Sequence, residues 1–115
     1  MADPVDAFMA DLAALGAGPE RRGPLIVYSV DVISGPHAGT RVETGVEIAE
    51  LAGWPIAPPH WLHMETTVAF EHTNSQPSPV AGWIRHSRQI ADWGGDPDPG
   101  QAWLAHVRGV LGEAR

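Results

Sequence analysis

The chain has 115 residues, of which 43% are hydrophobic and 18% are charged. This length suits one domain with a single core, and this balance argues against a chain that is disordered throughout. The formal net charge is −7, with seven arginines and no lysine. That charge argues against nucleic acid as a partner, because neutralising phosphates requires clustered basic side chains.

The sequence contains no cysteine, which excludes disulfide bonds and any chemistry that needs a thiolate. No apolar run approaches the ~20 residues that a membrane-spanning helix needs. Residues 1–15 are acidic and amphipathic, whereas a secretory signal begins basic and then becomes apolar. We therefore expect a cytoplasmic protein that does not act at a membrane.

The first predicted element is a helix over residues 3–15. Asp3 is placed to cap it, and Pro4 suits the first helical position. Gly16 and Gly18 predict its end. Apolar residues recur at helical spacing and form one stripe, made of Val5, Phe8, Met9, Leu12 and Leu15.

A β-hairpin is predicted next, from Leu25 to Ile48. Residues 25–33 are rich in β-branched side chains, and residues 40–50 alternate between apolar and polar. The breaker-rich residues 34–39 form the turn between them. On the first strand Ile26, Tyr28, Val30 and Val32 share a face, and on the second Val42, Thr44, Val46 and Ile48 do so.

The middle of the chain predicts short and irregular elements. Residues 53–59 contain three prolines, which remove hydrogen-bond donors and exclude regular structure. Residues 60–64 and 67–71 read as short strands or extended segments, and residues 72–79 as a polar loop. Residues 82–93 are ambiguous between strand, turn and irregular packing.

A second helix is predicted near the end of the chain. Asp98 caps it, Pro99 lies in its first turn and Gln101 completes a start similar to a capping box. Its apolar face consists of Trp103, Leu104, Val107 and Leu111. The element order predicts an α+β fold with helices packed on one antiparallel sheet. We treat residues 1–115 as one domain, with residues 1–2 and 112–115 as candidates for disorder.

Three motifs resemble the ubiquitin-conjugating superfamily, and its bacterial branch in particular. Residues 54–59, Trp-Pro-Ile-Ala-Pro-Pro, resemble the Tyr-Pro-x-x-Pro-Pro flap of that family. Residues 82–85, Gly-Trp-Ile-Arg, stand where the family has Gly-x-Ile-Cys. Trp93 follows Arg85 by eight residues, the spacing that commonly separates the catalytic cysteine from a tryptophan. The resemblance extends over most of the chain, residues 3–111.

The resemblance implies a ubiquitin-conjugating-like (UBC/RWD-like) fold, with an N-terminal helix, a meander sheet, the flap and a C-terminal helix on the sheet. It also implies lost catalysis: Arg85, or His86 in a register shifted by one, replaces the cysteine. The family also has a His-Pro-Asn tripeptide that forms its oxyanion site, and residues 72–74, His-Thr-Asn, resemble it only weakly.

The resulting expectation is a catalytically inactive binding or scaffold protein of a bacterial ubiquitin-like modification or defence system. It has no cofactor, and its partner is a ubiquitin-like, activating-enzyme-like or Jab-type deubiquitinase-like protein. The expected contact residues are Trp54, Pro58, Pro59, Trp83, Arg85, His86 and Trp93.

Five tryptophans in a chain of this length need a structural account. Trp103 is expected in the core, among the apolar residues of the second helix. Trp54 and Trp61 are expected to stack on the prolines of the flap. Trp83 and Trp93 flank the segment that lacks the cysteine. Either all five tryptophans fill a small core, or Trp83 and Arg85 help to form a recognition surface.

Two other functions remain open at this stage. A small metal- or histidine-dependent hydrolase would use His63, Glu65 and His86, although strand alternation would place His60 on the face opposite His63 and Glu65. A serine nucleophile has little support, because Ser87 is merely adjacent to His86 in the sequence, and Ser75 and Ser78 lie in a loop without a G-x-S-x-G elbow. The third reading is a structural subunit with no link to conjugation.

Overall fold

In the computed structural model, which describes residues 3–70, 74–94 and 96–115, both helices begin at the predicted caps. Helix α1 is Pro4–Ala14, and the Asp3 carboxylate accepts a hydrogen bond from the Val5 N–H at 2.8 Å. Helix α2 is Pro99–Leu111, and Asp98 accepts from the Gln101 N–H at 3.1 Å. Each cap satisfies a donor that the first helical turn leaves without an intrahelical partner.

The strands form one antiparallel sheet in the order β1-β2-β3-β4-β6-β5. Their bounds are β1 Glu20–Arg22, β2 Leu25–Asp31, β3 Arg41–Glu47, β4 Trp61–Glu65, β5 Ser75–Pro77 and β6 Trp83–Ser87. A short 3-10 helix, Ile48–Leu51, follows β3. The predicted α+β class is confirmed, but the sheet is not the predicted meander, because β6 pairs with β4 and β5 lies at the edge beyond β6.

The predicted hairpin is confirmed as β2 and β3. Leu25 lies opposite Glu47 at one end of the pair, and Asp31 lies opposite Arg41 at the other. The predicted second strand is too long, because the chain turns into the 3-10 helix at Ile48. The predicted inner face of the first strand, Ile26, Tyr28, Val30 and Val32, is buried as expected.

Two predictions for the middle of the chain are wrong. Residues 67–70 form a turn and an irregular segment rather than a strand, and Glu71 lies outside the described residues. The predicted polar loop contains strand β5, which pairs with β6. Such a short polar strand has no apolar alternation to reveal it, since it exists only through its hydrogen bonds to a partner strand.

The core lies between the two helices and one face of the sheet. The Trp103 indole N–H donates to the Tyr28 hydroxyl oxygen at 2.9 Å, which links α2 to β2. The Phe8 ring of α1 packs edge-on against Tyr28, with 6.0 Å between ring centroids. The aliphatic members of this core include Leu12, Ile26, Val46, Leu62, Met64, Val107 and Leu111. Trp103 is fully buried, as predicted.

Helix α2 approaches its neighbours closely at two glycines. A Cβ atom at Gly100 would lie 2.9 Å from the Asp11 Cβ of α1, and one at Gly112 would lie 2.4 Å from the Ser34 Oγ. Beyond the helix, Ala114 is only 1% exposed and the Arg115 N–H donates to the Ala69 carbonyl oxygen at 2.8 Å. Residues 112–115, candidates for disorder by sequence, are thus packed against the fold.

Among the described residues, neither helix combines the length and apolar character that a membrane crossing would need.

Candidate functional site

Strand alternation divides the predicted contact residues between the two faces of the sheet. Arg85 lies opposite His63, whereas His86 lies opposite Leu62, which belongs to the core. Neighbouring residues of β6 therefore point to opposite faces. His86 is only 3% exposed and packs against the Phe70 ring, with 4.8 Å between centroids. The prediction that Arg85 and His86 share one contact surface is wrong.

The same alternation argues against the alternative metal site. His63 and Glu65 share a face of β4, but the His86 side chain lies on the other face of the sheet. Within the described ranges, no three His, Asp or Glu side chains are close enough together to hold a metal ion. A hydrolase using His63, Glu65 and His86 together is therefore not supported by this geometry.

We use the name helix-free face for the sheet face opposite α1 and α2. Within the described part of the chain, its central polar side chains are Arg22, Glu47, His63 and Arg85, together with Trp61 and Trp83. Residues that pair directly across neighbouring strands point to the same face of a sheet, and the strand register therefore places all six side chains on this face.

A network of polar contacts around His63 runs across the helix-free face. The His63 Nδ1 is hydrogen-bonded to the Ser78 Oγ at 2.8 Å, whereas its Nε2 lies 3.4 Å from the Glu47 Oε1 without forming a hydrogen bond. The Arg85 guanidinium donates to the same Glu47 oxygen at 3.1 Å and also to the Gln76 side-chain oxygen. These contacts link β3, β4, β5 and β6, and the histidine among them is fully buried.

Burial lowers the pKa of His63 to about 4, with Glu47 acting against this shift and Arg85 adding to it. The ring is therefore neutral at neutral pH. The Ser78 Oγ accepts from the Val80 N–H at 3.2 Å, which leaves its own proton to be donated to the His63 Nδ1. The His63 Nε2–H then faces the Glu47 carboxylate.

Ser78, His63 and Glu47 thus follow the order of a serine–histidine–carboxylate relay, a pairing that the sequence did not suggest. The chemistry is unfavourable, however. An imidazole of such low pKa is a weak base at neutral pH, and the Arg85 guanidinium already neutralises Glu47. The network is best understood as a support that fixes the Arg85 side chain.

Two arginine–tryptophan contacts lie on the helix-free face. The Arg85 guanidinium carbon lies 4.5 Å from the Trp61 ring centroid, and that of Arg22 lies 6.0 Å from the Trp83 ring centroid. The contact of Trp61 with an arginine was not predicted from the sequence. Both tryptophans remain partly exposed. The sequence did not predict Arg22 or Trp61 as contact residues. Trp61 could have been found, because it precedes His63 by two residues on the same strand and therefore lies on the same face.

The helix-free face also has a small apolar layer of its own. Leu25 and Val27 are buried on the helix-free face, outside the main core cluster. Gly45 lies beside them, and a Cβ atom there would approach the Leu25 Cδ1 to 3.3 Å. The missing side chain leaves room for larger neighbours on this face.

The flap brings Trp54 into the core rather than onto a surface. Trp54 is 4% exposed, and its indole N–H donates to the Asp11 carboxylate of α1 at 3.0 Å. Its ring packs against Phe8 at 4.8 Å between centroids. Pro59 is also buried, whereas Pro58 is half-buried. The predicted role of Trp54 as a contact residue, and its stacking on proline, do not fit this position.

Trp93 borders a second surface, which we call the flap groove. The Trp93 indole N–H donates to the Pro55 carbonyl oxygen at 2.8 Å, and its ring lies 5.5 Å from that of Trp54. The cavity has a volume of about 690 Å³. Its lining residues are Pro55, Ile56, Asp92, Trp93, Gly94, Asp96, Pro97, Pro99 and Ala102. Sequence reasoning predicted Trp93 but missed Ile56 and the two aspartates.

Comparison of the chain with protein-family models, curated proteins and solved structures gives no match. Function is therefore inferred from the helix-free face and the flap groove.

Proposed function

We propose that the protein is a catalytically inactive, ubiquitin-conjugating-like binding module that contacts a ubiquitin-like protein through its helix-free face. The observation that carries this proposal is the Arg85 guanidinium stacked 4.5 Å from the centroid of the partly exposed Trp61 ring. Tryptophan and arginine are enriched among the residues that dominate binding energy at protein interfaces. Cation–π stacking adds about 0.5–1 kcal/mol at exposed sites and more when a partner excludes water.

Preorganisation of Arg85 also favours binding. Its guanidinium is held by Glu47 at 3.1 Å and by the Gln76 side chain, and it is already stacked on Trp61. Immobilising a free, rotamer-rich side chain at an interface costs about 0.5–1.5 kcal/mol. Because Arg85 is already immobilised in the free protein, little further side-chain entropy is lost on binding. A planar acceptor group on a partner can therefore bind an arginine whose orientation is already fixed.

The resemblance to ubiquitin-conjugating proteins supplies the identity of the partner. The α+β order, with a helix, three strands, the proline-rich flap, three further strands and a final helix, is compatible with it. The chain has no thiol to carry a thioester, and Arg85 stands where the resemblance places the cysteine. We place the protein in a bacterial ubiquitin-like modification or defence system, in the cytoplasm, with an activating-enzyme-like or Jab-type protein as a further partner.

The proposal is tested by titrating the purified protein with bacterial ubiquitin-like proteins, and with ubiquitin itself, in a calorimeter. We expect Arg85→Glu and Trp83→Ala to weaken binding by about tenfold or more, because each removes a central interface residue. Arg21→Gln, at an exposed arginine of β1 whose side chain lies on the opposite face of the sheet, is the matched control and should bind like the parent.

Circular dichroism and thermal unfolding show whether the Arg85→Glu protein is folded. Arg85→Gln, which keeps a hydrogen-bond donor toward Glu47, provides a milder variant. Unchanged affinity in folded Arg85 and Trp83 variants would exclude this surface. Genomes that consistently lack a neighbouring activating-enzyme-like or Jab-type gene would contradict the assignment to a conjugation system.

A further inference from the structure

We propose that the flap groove is a second binding site, which takes an extended protein segment carrying a basic side chain next to an apolar one. This site is independent of the helix-free face. It is formed by the flap and the segment that leads into α2, and it shares no residue with the network around His63.

The apolar part of the proposed segment is matched by the walls of the groove. Pro55, Trp93 and Pro97 line the cavity. Ile56 borders the same cavity and is 88% exposed, which makes it the most exposed large hydrophobic side chain among the described residues. An isoleucine so exposed beside an apolar cavity gains most by contact with another apolar side chain, because burial of apolar surface drives association.

The basic part of the segment is matched by two carboxylates. Asp92 and Asp96 line the groove, and neither makes an ion pair with any residue in the described ranges 3–70, 74–94 and 96–115. One oxygen of Asp96 accepts from the Asp98 N–H at 2.8 Å, which leaves its other oxygen for a ligand. A cationic side chain near these carboxylates would also meet the Trp93 ring, where cation–π attraction favours it.

The overall charge of the chain supports the same choice of occupant. With a net charge of −7, the protein attracts basic segments and repels acidic ones.

The flap groove is preformed, which further favours binding. Trp93 is fixed by its hydrogen bond to Pro55 and by packing on Trp54, and Trp54 is fixed in turn by Asp11. The site therefore needs little ordering when a segment enters it.

The test compares two synthetic peptides, Ac-Ser-Leu-Arg-Leu-Ser-NH₂ and the same peptide with glutamine in place of arginine. Titrations are followed in ¹⁵N NMR spectra through the Trp93 indole signal. We expect saturable shifts with the arginine peptide, affinity about tenfold weaker for the glutamine peptide, and weaker binding as salt is raised. Equal affinities for the two peptides, or no saturable shift at millimolar arginine peptide, would overturn the proposal.

Variants assign the effect to the groove. The double variant Asp92→Asn/Asp96→Asn keeps the acceptor for the Asp98 N–H and should bind the arginine peptide about fivefold to tenfold more weakly. Ile56→Ser should also weaken binding. Glu65→Gln, an exposed acidic residue of the helix-free face, is the control and should bind like the parent. If Glu65→Gln weakens binding as much as the double variant, the attraction is a property of net charge and the site is refuted.

The two proposals can be refuted independently of each other. Arg85→Glu should leave peptide binding at the flap groove unchanged, and Ile56→Ser should leave binding of a ubiquitin-like protein unchanged. A protein that binds the peptide but no ubiquitin-like protein keeps the groove and loses the proposed function.

Discussion

Trp54 and Asp11 are joined by a hydrogen bond, from the indole N–H to a carboxylate oxygen at 3.0 Å. This contact ties the proline-rich flap to α1. Helix α2 packs at the same point, because Gly100 approaches the Asp11 backbone and Cβ. Asp11 is therefore the place where the flap and both helices meet, and the position of the flap groove depends on it.

Replacing Asp11 with alanine should lower the free energy of unfolding by about 1–3 kcal/mol, because the buried Trp54 N–H loses its acceptor. Asp11→Asn keeps a side-chain oxygen and should lose less. Urea unfolding followed by tryptophan fluorescence measures both values. If the alanine variant were as stable as the parent, this hydrogen bond would contribute nothing to the fold.

Gly100→Ala should destabilise the protein, by about 1–3 kcal/mol, because the new methyl group would overlap Asp11 and push α2 away from α1. Gly109 lies in the same helix with open space around its Cβ position. Gly109→Ala is therefore the matched control, and it should stabilise the protein by about 0.5–1 kcal/mol through helix propensity. Thermal unfolding of the two variants should show shifts of opposite sign.

Tyr28→Phe should also cost about 1–3 kcal/mol, since the buried Trp103 N–H then has no acceptor. Burial strongly raises the pKa of the Tyr28 hydroxyl, with hydrogen bonds to Thr44 and Trp103 opposing the shift. The group therefore stays protonated, and the destabilisation should be the same at pH 7 and pH 9. Denaturant titrations at both pH values check this; a loss of the effect at pH 9 would contradict it.

The protein should lose stability as the pH falls below about 6.5, the ordinary pKa of histidine. Burial lowers the pKa of His63 to about 4 and also lowers the pKa values of His86 and His106. Between the folded and unfolded pKa values the unfolded chain binds more protons, so stability rises with pH through that window. His63 alone accounts for up to about 3 kcal/mol, gained above its unfolded pKa and lost as the pH falls toward 4.

His86→Leu tests this pH dependence. Neither ring nitrogen of His86 has a hydrogen-bond partner in the described structure, so an apolar residue of similar size loses little at neutral pH. The variant should show a shallower decline in stability between pH 6.5 and 5, measured by urea unfolding at each pH. A slope equal to that of the parent would show that His86 is not among the groups responsible.

The features that the sequence predicted correctly are those set by neighbouring residues. Asp3 and Asp98 cap helices through bonds to residues two and three positions away. The hairpin of β2 and β3 follows from alternation within each strand and from the breaker-rich turn between them. Strand β5 was missed because it has only three residues, all exposed and without apolar alternation, and depends on β6.

The candidate site was less predictable than the fold. Adjacent residues of a strand point to opposite faces, which is sufficient to place Arg85 and His86 on different surfaces. The pattern of residues 82–93 does not show that they contain a strand, however, so the sequence predicts a single contact surface for both. Ile56 gave no signal of its own, because an isoleucine among prolines is compatible with burial or exposure.

By itself, the sequence determined the helices, the hairpin, the α+β class and the absence of a cysteine thiol, because these depend on composition and local periodicity. Only the tertiary structure decided where the tryptophans lie. Trp54 is buried because an acceptor on α1 meets its N–H, whereas Trp61 stays at the surface beneath Arg85. Both positions depend on partners more than 20 residues away in the chain, and no local pattern specifies such partners.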